Sequence, residues 1–215
     1  MTWIGDNLGL ILSLTVEHLR QSLWPIVWGL VLSLPLGWAA HRWRAARGPI
    51  IVITGLLYTL PSLALLPLLP VVFGISALSE LNLVLALTIY AVAILVRSVA
   101  DGFDAVDGDV RRAAVALGFG PARRFWGVEL PLAGPVILAG LRVAAVSTVA
   151  LATVGILIGV NNLGYLFTNG FQRRIVEEIL AGVVAVALVA LVVDVALVLA
   201  GRVLLPWTRA AGRRA

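Results

Sequence analysis

Side chains capable of covalent, redox or metal chemistry are scarce in this 215-residue chain. It has no Cys and only two His, His18 and His41, in different segments. That excludes thiolate catalysis, disulfides and Cys-ligated metals, and a His-rich metal site is not expected. There is no Gly-x-x-x-x-Gly-Lys phosphate loop, because all sixteen basic residues are Arg, so the chain cannot hydrolyse ATP by that route. Asp101, Asp104, Asp107 and Asp109 lack the Asp-x-Asp-x-Asp-Gly register and the late Glu of a calcium loop. Their expected work is to solvate a loop and favour a helix N-terminus. No catalytic residue, metal ligand or cofactor site is therefore assigned. What remains is recognition chemistry, concentrated in Asp109–Leu132, where Arg pairs, an Ala-Ala step, glycines and the Phe125-Trp126 pair alternate. Two further charges, Arg142 and Asp194, stand inside apolar runs.

The elements that position these residues must be membrane helices. The chain is 61% hydrophobic and 13% charged, with mean hydropathy +1.05, well away from soluble-domain composition. Five spans of ~20 residues use ~100 residues and leave about 115 for termini and loops. That is too little for a nucleotide-binding or catalytic domain, so such functions are expected on partner chains. Leu8–Val16 is a short apolar run after Asp6 with no basic residue before it, which is a poor signal peptide. Leu8–Gln21 is expected as an interfacial helix within an external N-terminal segment 1–21. Spans are expected near Ser22–Ala40, Ile50–Phe73, Asn82–Ala100, Leu132–Val160 and Ile179–Arg202. They make an all-α membrane domain over 22–202, followed by a tail over 203–215. Eleven Arg, from Arg42 to Arg214, fall on one side of this topology, and Arg20, Arg173 and Arg174 on the other. The first side, with loop 101–131 and the C-terminus, is expected in the cytoplasm and the N-terminus outside. Trp24 and Trp28 toward one face, with Trp43 and Trp207 toward the other, suit an aromatic belt; a cation-binding cage is the other arrangement open to them.

Within loop 101–131, Asp107 or Asp109 can cap a helix running to Leu117, and Gly118 offers its stop. Pro121 can open a second short helix, with Phe125, Trp126 and Val128 as its apolar face and Leu130-Pro131 as its end. Such a helix pair suits docking to another protein, or simply packs on its own bundle. The spacing resembles the EAA motif of the inner-membrane permease subunits of ATP-binding-cassette importers. Ala113-Ala114, three residues, Gly118, nine residues, Val128, one residue and Leu130-Pro131 match it throughout. The departure is Arg112 where the family has Glu. The resemblance implies a coupling helix for an ATPase subunit and, with Arg112, an acidic group on that partner.

Thr59-Leu60-Pro61-Ser62-Leu63-Ala64-Leu65-Leu66 is similar to a signature of permeases for glycine betaine, carnitine and choline. Leu34-Pro35-Leu36-Gly37, Ala139-Gly140-Leu141-Arg142 and Asn162-Leu163-Gly164 (Gly-Leu-Gly in the family) fit the same subfamily. The resemblance covers roughly residues 15–202. It implies a type I importer permease fold with five transmembrane helices, located in a bacterial inner membrane. Its implied partners are ATPase subunits carrying ATP and Mg, a second permease chain, and an extracytoplasmic substrate-binding protein. The implied cargo is a quaternary ammonium osmoprotectant. An importer for another small solute, such as an amino acid, and a stand-alone channel or membrane enzyme are the competing readings.

Pro61, Pro67 and Pro70 free backbone carbonyls in the second span, and such breaks line cavities or packed interfaces. Tyr58, Thr59, Pro61 and Ser62 are pathway candidates, and Tyr90 can face them. Arg142 and Asp194 lie at compatible depths, ~15 and ~12 Å from the cytoplasmic ends of their spans at ~1.5 Å per residue. Both are expected to face protein, as a pair or separately, with Arg97 a competing partner. Gly155 and Gly159 read as a close-packing helix face. The polar stretch Asn161–Glu178 reads as a docking surface for a binding protein or as a solvated loop.

Overall fold

The computed structural model describes residues 2–207. Arg209, Arg213 and Arg214 of the expected tail lie outside the described residues. Every regular element among those residues is helical. After a short α1 (Thr2–Asp6), α2 (Leu8–Arg42) runs unbroken for 35 residues. That corrects the expectation of an interfacial helix ending at Gln21. Pro25 and Pro35 lie within α2 without ending it. Its buried face is a row of small residues, Gly29, Ser33, Gly37 and Ala40. This row packs on α5 (Glu80–Asp104), the central helix, in which fourteen of 25 residues are buried. A Cβ at Gly29 would sit 2.5 Å from the Ala91 Cβ, and one at Gly37 2.5 Å from the Val99 Cβ. Lipid is as apolar as Leu, so close backbone approach through small residues does the work that hydrophobicity does in water.

The second expected span is two helices, α3 (Arg44–Thr59) and α4 (Ser62–Phe73), bent 111° apart. Leu60 and Pro61 between them are extended. Proline disfavours helical backbone in the residue before it and supplies no N–H of its own. Thus, among the described residues, four helices are long and apolar enough to cross a membrane, or five if the bent pair is one span. A second proline effect appears inside α4. Pro70 cannot donate to the Leu66 carbonyl one turn back; Asn82 Nδ2 does so instead at 2.9 Å, and also reaches Ala77 O at 3.0 Å. This fully buried amide ties the bent segment to the start of α5.

The loop helix α6 (Gly108–Ala116) is followed by α7 (Pro121–Arg124), a π-helical turn over Phe125–Glu129, and α8 (Leu130–Ala152). The last three are continuous. Leu130-Pro131 is therefore not the end of the second short helix. The Leu130 N–H bonds back to Phe125 O, and this wider turn carries the chain through Pro131. α8 ends in a 3₁₀ turn, Thr153–Ile158. Gly155 is close-packed there, a Cβ lying 2.5 Å from Leu83 Cδ2, whereas Gly159 is a left-handed terminator at φ 77° with no neighbour within 4 Å. The two glycines do not form one packing face. α9 (Gly164–Arg173) and α10 (Val176–Leu204) complete the fold. α10 packs on α8 where Gly201 admits Leu138, and leaves Leu180, Val184, Leu188 and Leu191 exposed as an outer apolar wall.

At the α9 end, buried polar side chains replace small residues as the clamp. His18 Nε2 lies 2.9 Å from Val149 O, and Gln21 Nε2 donates to Asn161 O at 3.0 Å. Asn162 Nδ2 donates to Ala152 O at 2.8 Å and to Gln21 Oε1 at 3.1 Å. Its Oδ1 accepts from the Gly164 N–H at 2.8 Å. The Asn standing where the resemblance expects Gly thus satisfies a helix-end carbonyl. Gly164 has no freedom to change, since a Cβ would lie 2.1 Å from Thr153 O.

Candidate functional site

Two places gather the recognition residues. The first is the loop built on α6. Asp107 caps this helix, its carboxylate accepting from the Asp109 N–H at 2.8 Å. Gly118 closes it in the left-handed conformation, φ 80°, with Gly118 N–H to Val115 O at 2.9 Å and Phe119 N–H to Ala114 O at 3.0 Å. This paired closure is one that Gly alone adopts without strain. Ala114 faces inward while Ala113 and Gly118 are exposed. Arg112 is exposed and pairs with Asp109 in its own helix.

The aromatic knobs divide. Phe125 turns inward, stacked on Phe103 at 5.6 Å and edge-on to Trp38 at 5.9 Å. This corrects its placement on an outward apolar face. Trp126 is 67% exposed; Val128, Leu130 and Pro131 are half-buried. Two outward apolar residues escaped sequence reasoning, Val115 and Leu117, the latter 77% exposed. They sit on the helix that Gly118 ends. Also missed was the anchor beneath. Buried Glu129 accepts from Arg124 Nε at 2.9 Å and lies 3.9 Å from Arg111 Nε. Arg111 in turn donates to Phe103 O. One Arg of each doublet, Arg111 and Arg124, read only as charge, thus anchors the loop. The four acids are likewise engaged: Asp107 in its cap, Asp104 with His41 at 2.5 Å and Arg47 at 2.6 Å, Asp101 with Arg47 at 3.8 Å, Asp109 with Arg112.

The second place is the bend between α3 and α4. Tyr58 and Tyr90 meet edge-on, ring centroids 6.4 Å apart. The Tyr90 hydroxyl donates to the Leu60 carbonyl at the break. Tyr90 is buried and supports the bend from behind. Tyr58 is exposed and lines a cleft of about 290 Å³ with Ile51, Thr54, Gly55, Ala93, Ile94, Arg97 and Val143. Thr59, Pro61 and Ser62 do not line this cleft, and Thr59 Oγ1 is turned back to Leu56 O at 2.8 Å. Pro67 and Pro70 showed in the sequence that this region is irregular, but nothing there signalled Arg97 and Thr54 as cleft residues.

Arg142 and Asp194 are brought together. Arg142 Nε and Nη2 donate to the two carboxylate oxygens at 2.7 and 2.8 Å, a bidentate pair joining α8 to α10. Arg97 takes no part in it. Trp24 and Trp28 stand exposed on α2 without a ring contact among the described residues, and Trp43 packs edge-on to Trp38 at 5.8 Å. No cage forms from these four. At the α9 end Arg173, Arg174 and Glu177 are exposed, but Glu178 is buried, accepting from Asn169 Nδ2 at 2.6 Å.

This architecture has close relatives. The family model of the binding-protein-dependent transport system inner membrane component matches residues 29–210. The choline transport system permease protein OpuBB of Bacillus subtilis is 34% identical, covering 95% of this chain and 93% of that protein. The glycine betaine/carnitine/choline transport system permease protein OpuCB of the same organism is 31% identical, covering 96% and 94%. Among solved structures, the inward-facing MetNI methionine ABC transporter superposes with TM-score 0.81 at 18% identity, covering 93% of this chain and 98% of that one. At that identity the likeness concerns the fold alone. A six-residue loop spacing, a glycine-closed helix presenting it, and matches over nearly the whole length converge: the chain belongs to the family of binding-protein-dependent transport system inner membrane components.

Proposed function

We propose that this chain is the non-catalytic membrane subunit of an ATP-driven importer for a quaternary ammonium osmoprotectant. The observation that carries the proposal is α6. It is capped at both ends, tied through Arg111 and Glu129 to the bundle, and turns Val115 and Leu117 outward. A rigid helix with an apolar outer edge is a docking part, and this chain has no phosphate loop of its own. ATPase subunits seat on this face, and those subunits hold ATP and Mg. The Arg excess supports a cytoplasmic position for α6 and the C-terminus, with the N-terminus outside. An extracytoplasmic binding protein delivers substrate to the α9 end, and a second permease chain completes the path. The osmoprotectant class rests on the relatives' substrates and on the Thr59–Leu66 signature.

The test is co-purification. Leu117→Asp and Val115→Asp alter exposed positions, so the bundle should fold and insert normally. At least a tenfold loss of bound ATPase from the detergent-solubilised complex is expected. Wild-type association persisting in both variants would remove α6 as the seat. Uptake by the chain without any ATPase would defeat the importer reading.

A further inference from the structure

Arg97 lies inside α5 rather than at a helix end, and none of the ion pairs among the described residues engages it. It sits seven residues before Asp104 on α5, ~10 Å inside that helix end at 1.5 Å per residue. Its neighbours of opposite charge are already occupied. Asp101, one turn along α5, and Asp104 face Arg47, and Asp194 holds Arg142 with both oxygens. Arg97 is exposed and lines the 290 Å³ cleft. An ionised side chain at membrane depth is costly unless it faces a water-filled path or a counter-charge. Tyr58, on α3, lines the same cleft, its ring steadied edge-on by Tyr90. The rest of the wall is apolar or small, apart from Thr54, whose hydroxyl is bonded to Ile50 O at 2.8 Å.

We propose that Arg97 and Tyr58 are the two poles of a transient binding site in the translocation path for a zwitterion carrying a carboxylate and a quaternary ammonium. The guanidinium takes the carboxylate through charge-assisted hydrogen bonds. The Tyr58 ring takes the trimethylammonium head by cation–π attraction. A quaternary ammonium without a carboxylate gains nothing from Arg97 and is repelled by it. The permease thereby adds a selection of its own, favouring betaines over simple cations. This rests on the osmoprotectant reading.

The test uses the complete complex of permease, ATPase and binding protein in proteoliposomes, with labelled glycine betaine and choline. The binding protein is the same throughout, so the mutant-to-wild-type ratio for each substrate isolates the permease. Arg97→Gln should lower glycine betaine uptake at least tenfold and leave choline uptake within twofold of wild type or raised; Arg97→Lys should restore part of the loss. Equal losses for both substrates, no loss of glycine betaine uptake, failure of Arg97→Lys to improve on Arg97→Gln, or loss of complex assembly would each overturn the site. Wild-type import of choline alone would overturn it too. Import of neither compound by wild type would bring down the osmoprotectant reading itself. That differs from wild-type import of both with unchanged ratios, which removes only the Arg97 site.

Discussion

Gly118 isolates one physical effect. It sits at φ 80°, and a Cβ built there would meet nothing within 4 Å. A substitution therefore adds backbone strain to this chain and no clash. Holding a residue with a Cβ in the left-handed conformation costs roughly 1–2 kcal/mol, less for Asn, which visits that region through local hydrogen bonding. The two closing hydrogen bonds at Gly118 and Phe119 depend on this φ. At ~1–2 kcal/mol the equilibrium between closed and frayed ends of α6 shifts by about 5–30-fold. Hydrogen exchange over the end of α6 should rise in the order Gly118→Asn, Gly118→Ala, Gly118→Val, the β-branched residue faring worst. Substrate-stimulated ATP hydrolysis by the reconstituted complex should fall in the same order. Exchange unchanged across the series would refute the claim that φ holds the cap. Hydrolysis falling further with Asn than with Ala would mean that side-chain volume against a partner, rather than strain, dominates at this position.

Two more perturbations test the bundle. Asn82→Ala leaves the buried Leu66 carbonyl unpaired and should cost about 1–3 kcal/mol, read as a lower melting temperature in detergent. Pro70→Ala in that background returns a backbone N–H to Leu66 and should recover part of the loss; a further fall would contradict the substitution of amide for missing N–H. Arg142→Gln and Asp194→Asn should each lower thermostability, because each strands the other charge. Replacing both with Leu should be milder than either single change, and simple addition of the two losses would argue that the pair is not coupled.

The features legible in the sequence were those with a local cause. Asp107, Gly118 and Pro121 announce the ends of short helices through capping, left-handed backbone and proline geometry, and α6 lies where they put it. Arg142 and Asp194 were legible as two charges at one depth in apolar surroundings. Features set by which side of a helix turns inward were not. In lipid the outer wall of α10 and the core of α5 are equally apolar, so hydropathy carries no facing signal. Phe125 was indistinguishable from Trp126 until Phe103 and Trp38 supplied a slot. Arg97 could not be separated from Arg142 as a partner for Asp194 without knowing that α3, with Thr54 and Tyr58, lies against α5. Pro25 and Pro35 in α2 and Pro61 between α3 and α4 have one chemistry and opposite outcomes. α2 keeps its course along the small-residue seam with α5, whereas at Pro61 the Tyr90 hydroxyl waits to receive the Leu60 carbonyl.

The Trp38–Phe125–Phe103 stack has a mechanical consequence. Its three rings belong to α2, to the π-helical turn beside α6, and to α5. The first is a strut of 35 residues, ~52 Å long at 1.5 Å per residue, and it is cemented to α5 along its glycine seam. α6 is tied to this stack through Arg111, which donates to Phe103 O and lies 3.9 Å from Glu129. A push on α6 arrives as torque on a lever whose far arm ends at His18 and Gln21, where Asn162 and Val149 are gripped. One continuous helix thus joins the α6 end of the bundle to the α9 end, and the Leu60–Pro61 elbow stands beside that line rather than in it.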